Sequence, residues 1–505
     1  MTNAAEIIQE NIHLKEIISE KDSRIKILEE LIRSLKQKQF GTSSEKLDII
    51  QPDFFAEAED ESAAAEPVTN ESVVTIAEHT RKKHRVSIPA DLPRIEILHD
   101  LPEEQKLCPK DGTALKQIGF ESHEQLDIIP AKIQVLHHKR FKYACPCCES
   151  YLITATKPAQ PIEKSIASAG LLAYITVQKY ADALPLYRQT EIFKRINIEL
   201  DRTTLANWMI SVGHLVQPLI NLIHEKMLEQ KILHADETRV QVLNEPNREA
   251  QTQSFMWVLR SKTPTCSAVL FRYEPSRSGD AATELLGDFG GALMVDAYSG
   301  YNPACKKNQI TRLGCWAHAR RKFVDVQKAQ SKDKVGKADQ AIAFIQSLYV
   351  IESTIKDKTQ AEKYIARQQQ SKPILEKIHA WLTKSLLYIP PESSIGKALY
   401  YLHEQWSQLI CYINDGDYPI DNNAAENAIR PFVIGRKNWL FSASQKGATA
   451  SANLYSLIET AKANGLEPYA YLKKIFSDLP NAKTVEEVEK CLPWNTVIEK
   501  QFKST

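Results

Sequence analysis

The sequence lacks any long apolar run. No stretch of 18 apolar residues occurs among its 505 residues, so no membrane-spanning segment is expected. The N-terminus carries charges throughout, where a signal peptide needs a bare apolar run. The chain also has no GxGxxG, GxxxxGKS/T, GxSxG or HExxH motif. Its nine cysteines are an odd number spread over a long chain, which argues against a disulfide framework. We therefore expect a cytoplasmic protein whose thiols bind metal or pack in cores.

Charge is segregated along the chain although the total is balanced. There are 64 Lys and Arg against 63 Asp and Glu, a net charge of +1. No Lys or Arg lies between Lys46 and Arg81, where acidic residues are frequent, and residues 81–85 are then strongly basic. This pattern predicts an acidic and then basic linker over residues 47–90. Because the linker offsets basic surfaces elsewhere, the small net charge does not exclude a nucleic-acid partner.

An amphipathic repeat occupies the N-terminal segment. Apolar residues recur at alternating spacings of four and three from Ile7 to Leu35, and Asn11 takes one core position. β-Branched residues in one column, Leu in the other and one buried Asn favour a parallel two-stranded coiled coil. We therefore predict a leucine-zipper-like oligomerisation helix over residues 1–46 and a homo-oligomer. A single amphipathic helix packed on the body of the protein is the alternative.

Two cysteine clusters bracket a short strand-rich segment, residues 91–160. Cys108 and Asp111 in CPKDG could close a tetrahedral zinc site with Cys145 and Cys148 in KYACPCC, although Asp replaces an expected thiolate. Other candidates for the fourth ligand are Cys147, His123, His137 and His138. The segment is therefore predicted to be a zinc-binding module held by structural Zn²⁺.

The apolar spacing becomes helical over residues 161–228, with a break at INIELDR. Asp201 precedes the second apolar run as an N-cap does. Two short helices around a tight turn suggest a helix-turn-helix-like DNA-binding domain, although three-helix packing without DNA would leave the same pattern. The candidate DNA-binding residues of this segment are Arg188, Arg195, Arg202, Thr203 and Thr204.

From Lys231 the apolar period changes to two. The predicted strands are KILHADETRVQVL, SFMWVLRS, SAVLFRYE, ALMVDAYSGY and QITRLGCW, with a helix AATELLGDF after the third. Strands in series followed by strands alternating with helices indicate an α/β sheet of mixed direction. A helical stretch at about 319–411 follows, and residues 446–505 are helical again. The fold class is therefore multidomain α/β plus α.

Three carboxylates lie where an open sheet usually binds ligands. Asp236 is in the first strand with His234 and Thr238 on its own face, Asp296 ends the fourth strand, and Glu426 lies in DNNAAENAIRP. Together they could hold two divalent cations roughly 4 Å apart for an in-line phosphoryl displacement. Hard oxygen ligands select Mg²⁺ or Mn²⁺ over zinc.

Each carboxylate also has a plainer interpretation. Asp236 could be a strand-end salt-bridge partner, and Asp296 could open a turn. Asn423 and Glu426 fit an N-x-x-E capping box. Spacing alone therefore does not decide between a metal site and three structural acids.

Basic residues follow two of these elements. Lys306–Lys328 contains seven Lys or Arg and one acid, and Arg430–Lys446 contains four Lys or Arg and no acid. A phosphodiester substrate needs such cations, although charge runs are usually solvated helix faces. His318 could support the active site by positioning a phosphate or a metal-bound water, or it could be structural. The candidate DNA contacts here are Arg320, Arg321, Arg430, Arg436 and Lys437.

The motifs HADETRV, VDAYSGYN, GCWAHARRKF and DNNAAENAIRPFVIGRKNWLFS together resemble the DDE-class, TnpC-type transposases of the insertion-sequence-66 family. FGTSSEKL, KYACP and KYADALPLYRQTEIFKR extend the resemblance over nearly the whole chain. The resemblance implies an RNase H-like catalytic core over residues 229–445, with the helical insertion inside it. It implies that Asp236, Asp296 and Glu426 are the metal-binding catalytic triad.

The resemblance further implies a prokaryotic enzyme that cleaves transposon ends and joins them to target DNA. Accessory proteins encoded by the same element are further candidate partners. Two alternatives stay open: a non-catalytic DNA-binding regulator that has kept the fold, and a metal-dependent nuclease without strand transfer.

Overall fold

The computed structural model describes residues 133–144, 152–329 and 336–497, and six isolated helical positions between Lys15 and Ile32. The linker and Cys108, Asp111, Cys145 and Cys148 lie outside the described residues, as do His123, Cys147 and most of the predicted coiled coil. In the described ranges, every helix is too short or too polar to cross a lipid bilayer.

The larger of the chain's two units consists of residues 1–42 and 158–498, and the smaller one consists of residues 43–157 and 499–505. Its described part contains an antiparallel strand pair, β1 (Lys142–Ala144) and β2 (Leu152–Thr154). Arg140 Nε donates to the Ala155 carbonyl at 2.6 Å and ties the two strand ends together. The pair therefore flanks the segment that carries two of the predicted zinc ligands.

After residue 158 the larger unit continues with four helices. They are α1 (Ala169–Tyr180), α2 (Leu186–Lys194), α3 (Arg202–Leu215) and α4 (Gln217–Leu228). The break at INIELDR is confirmed between α2 and α3, and Asp201 takes the N-cap position, although its side chain makes no capping hydrogen bond. The sequence missed a second break between α1 and α2. Ala183 adopts a left-handed φ of 55° there, and Pro185 disfavours helix in the residue before it.

A mixed sheet follows these helices. Its elements are β3 (Ile232–Asn244), β4 (Gln253–Lys262), β5 (Ser267–Glu274), α5 (Gly279–Leu286), β6 (Ala292–Val295), a 3₁₀ turn (Ser299–Tyr301), α6 (Asn302–Lys307) and β7 (Thr311–Gly314). The strand order is β5-β4-β3-β6-β7. β3, β4 and β5 are antiparallel, whereas β6 and β7 run parallel to β3. All five predicted strands and the mixed direction are therefore confirmed.

A helical segment with its own core separates β7 from the last part of the chain. Its elements are α7 (Trp316–Ala329), α8 (Lys337–Thr354), α9 (Gln360–Ala366), a π-helical turn (Arg367–Ser371), α10 (Lys372–Leu386), α11 (Ser394–Glu404), α12 (Trp406–Leu409) and a 3₁₀ turn (Ile410–Asn414). Trp316, Phe323, Leu382 and Leu402 are buried in this core. The predicted helical stretch at about 319–411 is therefore observed.

The chain then returns to the sheet. The last elements are α13 (Asn423–Trp439), β8 (Ser442–Ser444), α14 (Gln445–Ala463), α15 (Pro468–Asp478), a 3₁₀ turn (Leu479–Asn481) and α16 (Val485–Glu489). α14 covers the edge strand β5, because Ser456 and Thr460 bond the backbone of Phe271 and Val269. Covering an edge in this way prevents unwanted strand pairing. The initial helices, the sheet and the C-terminal helices share one hydrophobic core.

Candidate functional site

One face of β3 lies beneath α13. His234 Nδ1 donates to Asn422 Oδ1 at 3.1 Å just before α13 begins, and Arg436 near its end donates to Thr238 Oγ1 at 3.1 Å. Side chains two residues apart on a strand share a face. Asp236 therefore lies between these two contacts, on the face that the sequence predicted for it.

Asp296 reaches the same region from the neighbouring strand. β6 is parallel to β3, and His234 pairs with Met294, so Asp236 and Asp296 each follow two residues after that pair. Asp296 Oδ1 accepts the Tyr298 N–H at 2.9 Å. Arg312 of β7 donates to the Asp296 carbonyl at 2.8 Å, which fixes the loop after β6.

Asp236 experiences the negative charges of its neighbours. Burial raises its pKa to about 7, and the charges of Glu237, Asp296 and Glu426 also raise it. Its Oδ1 accepts the Glu237 N–H at 2.8 Å, which offsets only part of this effect. The three predicted carboxylates come from β3, the loop after β6, and α13. They are close enough that the charges of Asp296 and Glu426 act on Asp236.

Glu426 is held from the helical segment. Arg321 Nη2 of α7 donates to Glu426 Oε2 at 3.2 Å, and His318 Nδ1 lies 3.5 Å from Oε1. The capping-box interpretation of Asn423 and Glu426 is wrong, because the N-cap is Asn422 and makes no side-chain capping bond. Glu426 is therefore directed toward α7 and not toward its own helix end.

Where Glu426 meets His318, two buried side-chain atoms have no hydrogen-bond partner within the described part of the chain. They are Glu426 Oε1 and His318 Nδ1. Burial lowers the pKa of His318, so its imidazole is mainly neutral near pH 7. Cys315, His318 and Glu426 each offer one ligand atom, and all three atoms lie within 4.8 Å of one another. Among the described residues this is the one group of three that is so compact, and the three predicted carboxylates do not form another.

The sequence missed several residues around Asp236. The Glu237 side chain is 2% exposed and accepts hydrogen bonds from Tyr301 Oη at 2.6 Å and Arg277 Nε at 2.6 Å. The Arg277 guanidinium lies 3.8 Å from the centre of the Tyr298 ring. Strand alternation alone assigns Glu237 to the opposite face from Asp236. The distant partners of Glu237 leave no local pattern by which the sequence could have found them.

Asn422 is a second residue that the sequence missed. It is 1% exposed, its Nδ2 donates to the Ala235 carbonyl at 2.8 Å, and its N–H donates to Cys315 Sγ at 3.2 Å. Asn422 therefore ties the start of α13 to both β3 and the end of β7. The only clue in the sequence is the polar run DNN before an apolar-periodic helix.

The predicted DNA-binding residues fall into three groups. Arg321 binds Glu426, and Arg436 donates to Thr238 and to the Arg239 carbonyl, so both make contacts within the protein. Arg320 and Thr204 are half-buried. The exposed members are Arg188, Arg195, Arg202, Thr203, Arg430 and Lys437. Arg430 follows Glu426 by one helical turn, as expected.

Family comparisons match successive parts of the chain. The model described as "Transposase IS66 family" matches residues 164–450, more than half of the chain. The "zinc-finger binding domain of transposase IS66" matches 105–149, the "IS66 C-terminal element" matches 456–494, and "Transposase C of IS166 homeodomain" matches 27–97. These matches support a transposase role with DNA as the partner, and they fit divalent metals and zinc in general.

Relatives of similar length occur in Sinorhizobium fredii (strain NBRC 101917 / NGR234). The uncharacterized protein y4jD is 33% identical over 420 residues, which cover 81% of each chain. The uncharacterized protein y4qI is 32% identical over 501 residues, which cover 95% of this chain and 91% of the relative. The residues matched by the transposase model include the sheet, the helical segment and α13, and therefore Asp236, Asp296 and Glu426. The chain therefore belongs to the IS66 family of transposases.

Proposed function

We propose that this protein is a DNA transposase that binds the ends of an insertion sequence and catalyses metal-dependent strand cleavage and strand transfer into target DNA. The observation that carries the proposal is the convergence of Asp236, Asp296 and Glu426 from three elements that are distant in sequence. Structural acids would be expected to have a cation or a helix end as partner. Asp236 has neither among the described residues, since its carboxylate accepts only a backbone N–H.

The sheet supports an RNase H-like core. Three antiparallel strands are followed by two parallel strands in the order β5-β4-β3-β6-β7, with Asp236 on the first strand and Asp296 after the fourth. This agrees with the core that the family resemblance implies. The helical segment between β7 and α13 then corresponds to the predicted insertion.

The donor set fits hard divalent cations. Carboxylate oxygens are the ligands that Mg²⁺ and Mn²⁺ prefer, and Glu426 Oε1 is a buried acceptor without a hydrogen bond within the described ranges. Bound by these three residues, two such cations would stabilise the attacking and leaving oxygens of the phosphoryl transfer. Two contacts hold the carboxylates in place. Asn422 donates a hydrogen bond to the Ala235 carbonyl, next to Asp236 on β3, and Arg321 donates one to Glu426.

The remaining roles follow from position and charge. Exposed Arg430 and Lys437 on α13 can contact phosphates beside the carboxylates. Exposed Arg202 and Thr203 begin α3, where a recognition helix meets base edges. We further propose a structural Zn²⁺ in the module 91–160 and a homo-oligomer formed through residues 1–46.

The test is a strand-transfer assay with labelled element ends, a target plasmid and Mg²⁺. Asp236→Asn, Asp296→Asn and Glu426→Gln should each abolish cleavage and joining while end binding persists, because amides preserve shape but lose cation affinity. Asp325→Asn, an exposed acid on α7, is the matched control and should retain activity. Normal strand transfer by any triad variant overturns that residue's assignment. Cleavage without joining by the unmodified protein would indicate a nuclease, and end binding alone a regulator.

A further inference from the structure

The three side chains Cys315, His318 and Glu426 combine a thiol, an imidazole and a carboxylate at one point. Cys315 directly precedes α7, His318 lies in its first turn, and Glu426 comes from α13. One ligand atom from each lies within 4.8 Å of the other two. This donor set differs from the all-carboxylate triad, because sulfur and nitrogen ligands favour zinc-class cations over Mg²⁺.

The separations approach those of a real coordination shell. Zinc bonds of 2.0 to 2.3 Å in a tetrahedron place neighbouring ligand atoms about 3.3 to 3.6 Å apart. His318 Nδ1 and Glu426 Oε1 are already 3.5 Å apart. The other separations, which are at most 4.8 Å, need a contraction of up to about 1.2 to 1.5 Å, which side-chain rotation can supply.

Two of the three donors, Glu426 and His318, have a ligand atom without a hydrogen bond among the described residues. Glu426 Oε2 binds Arg321, which leaves Oε1 free of hydrogen bonds within the described residues. His318 Nδ1 likewise makes no hydrogen bond there. Cys315 Sγ accepts the Asn422 N–H at 3.2 Å, but burial raises the pKa of this thiol to about 12, so a bound cation has to displace its proton.

We propose that Cys315, His318 and Glu426 form a site for a thiophilic divalent cation, Zn²⁺ or Cd²⁺, with one coordination position left for solvent. The site is distinct from the cysteines of the module 91–160. It shares Glu426 with the proposed catalytic triad, so a cation held there would withdraw Glu426 from Mg²⁺. Zn²⁺ and Cd²⁺ should therefore inhibit strand cleavage in the presence of Mg²⁺. Binding does not depend on the proposed function, whereas this inhibition does.

The binding test is a Cd²⁺ titration of the full chain, followed by the ultraviolet thiolate-to-cadmium absorption and by equilibrium dialysis. Cys315→Ser and His318→Ala should each bind one Cd²⁺ per chain fewer than the unmodified protein at the same concentration. We expect a weakening of at least the 10- to 100-fold that losing an outer-shell partner costs. Cys266→Ser, which removes a buried thiol from the turn before β5, is the control and should keep every site.

The outcomes separate the two proposals. Equal Cd²⁺ stoichiometry in all four proteins overturns the site, and so does a loss in Cys315→Ser that His318→Ala does not share. Inhibition by Cd²⁺ is then measured as a fraction of each protein's own Mg²⁺-dependent cleavage, and it should be weaker in His318→Ala than in Cys266→Ser. If no protein cleaves DNA, the proposed function fails while the dialysis result still tests the site.

Discussion

Asp236 should destabilise the folded protein when no divalent cation is bound. Its folded-state pKa is about 7, against an ordinary value of 3.8, because of burial and the charges of Glu237, Asp296 and Glu426. At a pH between these two pKa values, Asp236 keeps its proton in the folded protein but has lost it in the unfolded chain. Stability therefore falls as pH rises through this window and is lowest above pH 7.

The magnitude follows from the two pKa values. One pH unit corresponds to 1.36 kcal/mol, so the difference between about 7 and 3.8 corresponds to about 4 kcal/mol at pH 8. At pH 5 only about half of this cost, about 2 kcal/mol, is present. Asp236→Asn never ionises and keeps a side-chain acceptor for the Glu237 N–H. Its advantage over the unmodified protein should therefore grow by about 2 to 3 kcal/mol between pH 5 and pH 8.

Thermal unfolding at pH 5 and pH 8, without and with Mg²⁺, measures this effect. Without Mg²⁺, Asp236→Asn should have the higher Tm at both pH values, and the difference in Tm should be clearly larger at pH 8 than at pH 5. Mg²⁺ at 100 times its Kd should stabilise the unmodified protein by about 2.7 kcal/mol and so raise its Tm. The Tm of the variant should not change. Asp325→Asn should behave like the unmodified protein in all four conditions. An Asp236→Asn variant that is less stable at pH 8 without Mg²⁺ would refute the reasoning.

Three further predictions concern assembly, recognition and packing. Deleting residues 1–40 should lower the oligomeric mass in light scattering, because Ile25, Leu28 and Ile32 are each more than half exposed in the single chain; an unchanged mass would favour an intramolecular helix. Ala substitutions at Arg202 or Thr203 should narrow the affinity gap between transposon-end and random DNA by about 1 to 3 kcal/mol per lost base contact, whereas Ala at Arg188 or Arg195 should weaken both DNAs alike and reduce the salt slope by about one. Equal losses on both DNAs in the first pair would mean that base readout lies elsewhere. Gly213→Ala should lower Tm through an overpacking cost of about 1 to 3 kcal/mol, because its Cβ would lie 2.5 Å from Ala450 Cβ; Gly447→Ala, whose Cβ would meet only Ser444 Oγ at 3.5 Å, is the control.

The strands could be predicted because the alternation of buried and exposed positions is visible in the sequence of each strand. The alternation in KILHADETRVQVL and SFMWVLRS depends only on neighbouring positions, and short connections between consecutive strands favour antiparallel pairing. β8 was not predicted, since Ser442–Ser444 carries no apolar pattern. It pairs through its backbone with Val242 and Asn244, at the end of β3.

The candidate site was predictable only in part, for the same reason. The three acids stand out beside strand ends and a helix start, which are local features. Asn422 contacts His234 across 188 residues of chain, and no local pattern encodes such a contact. The basic runs were visible, but composition could not separate Arg321 and Arg436, which bind the protein, from exposed Arg430 and Lys437.

The distribution of guanidinium partners explains where negative charge remains at the site. Glu426 is paired with Arg321, and Glu237 is paired with Arg277. Asp236 and Asp296, in contrast, accept only backbone N–H groups from the described residues. The uncompensated charge is therefore concentrated on these two aspartates. Because a buried carboxylate without a cation is costly, a divalent ion is stabilised most at this point. Its charge would offset both the burial and the neighbouring negative charges that raise the pKa of Asp236.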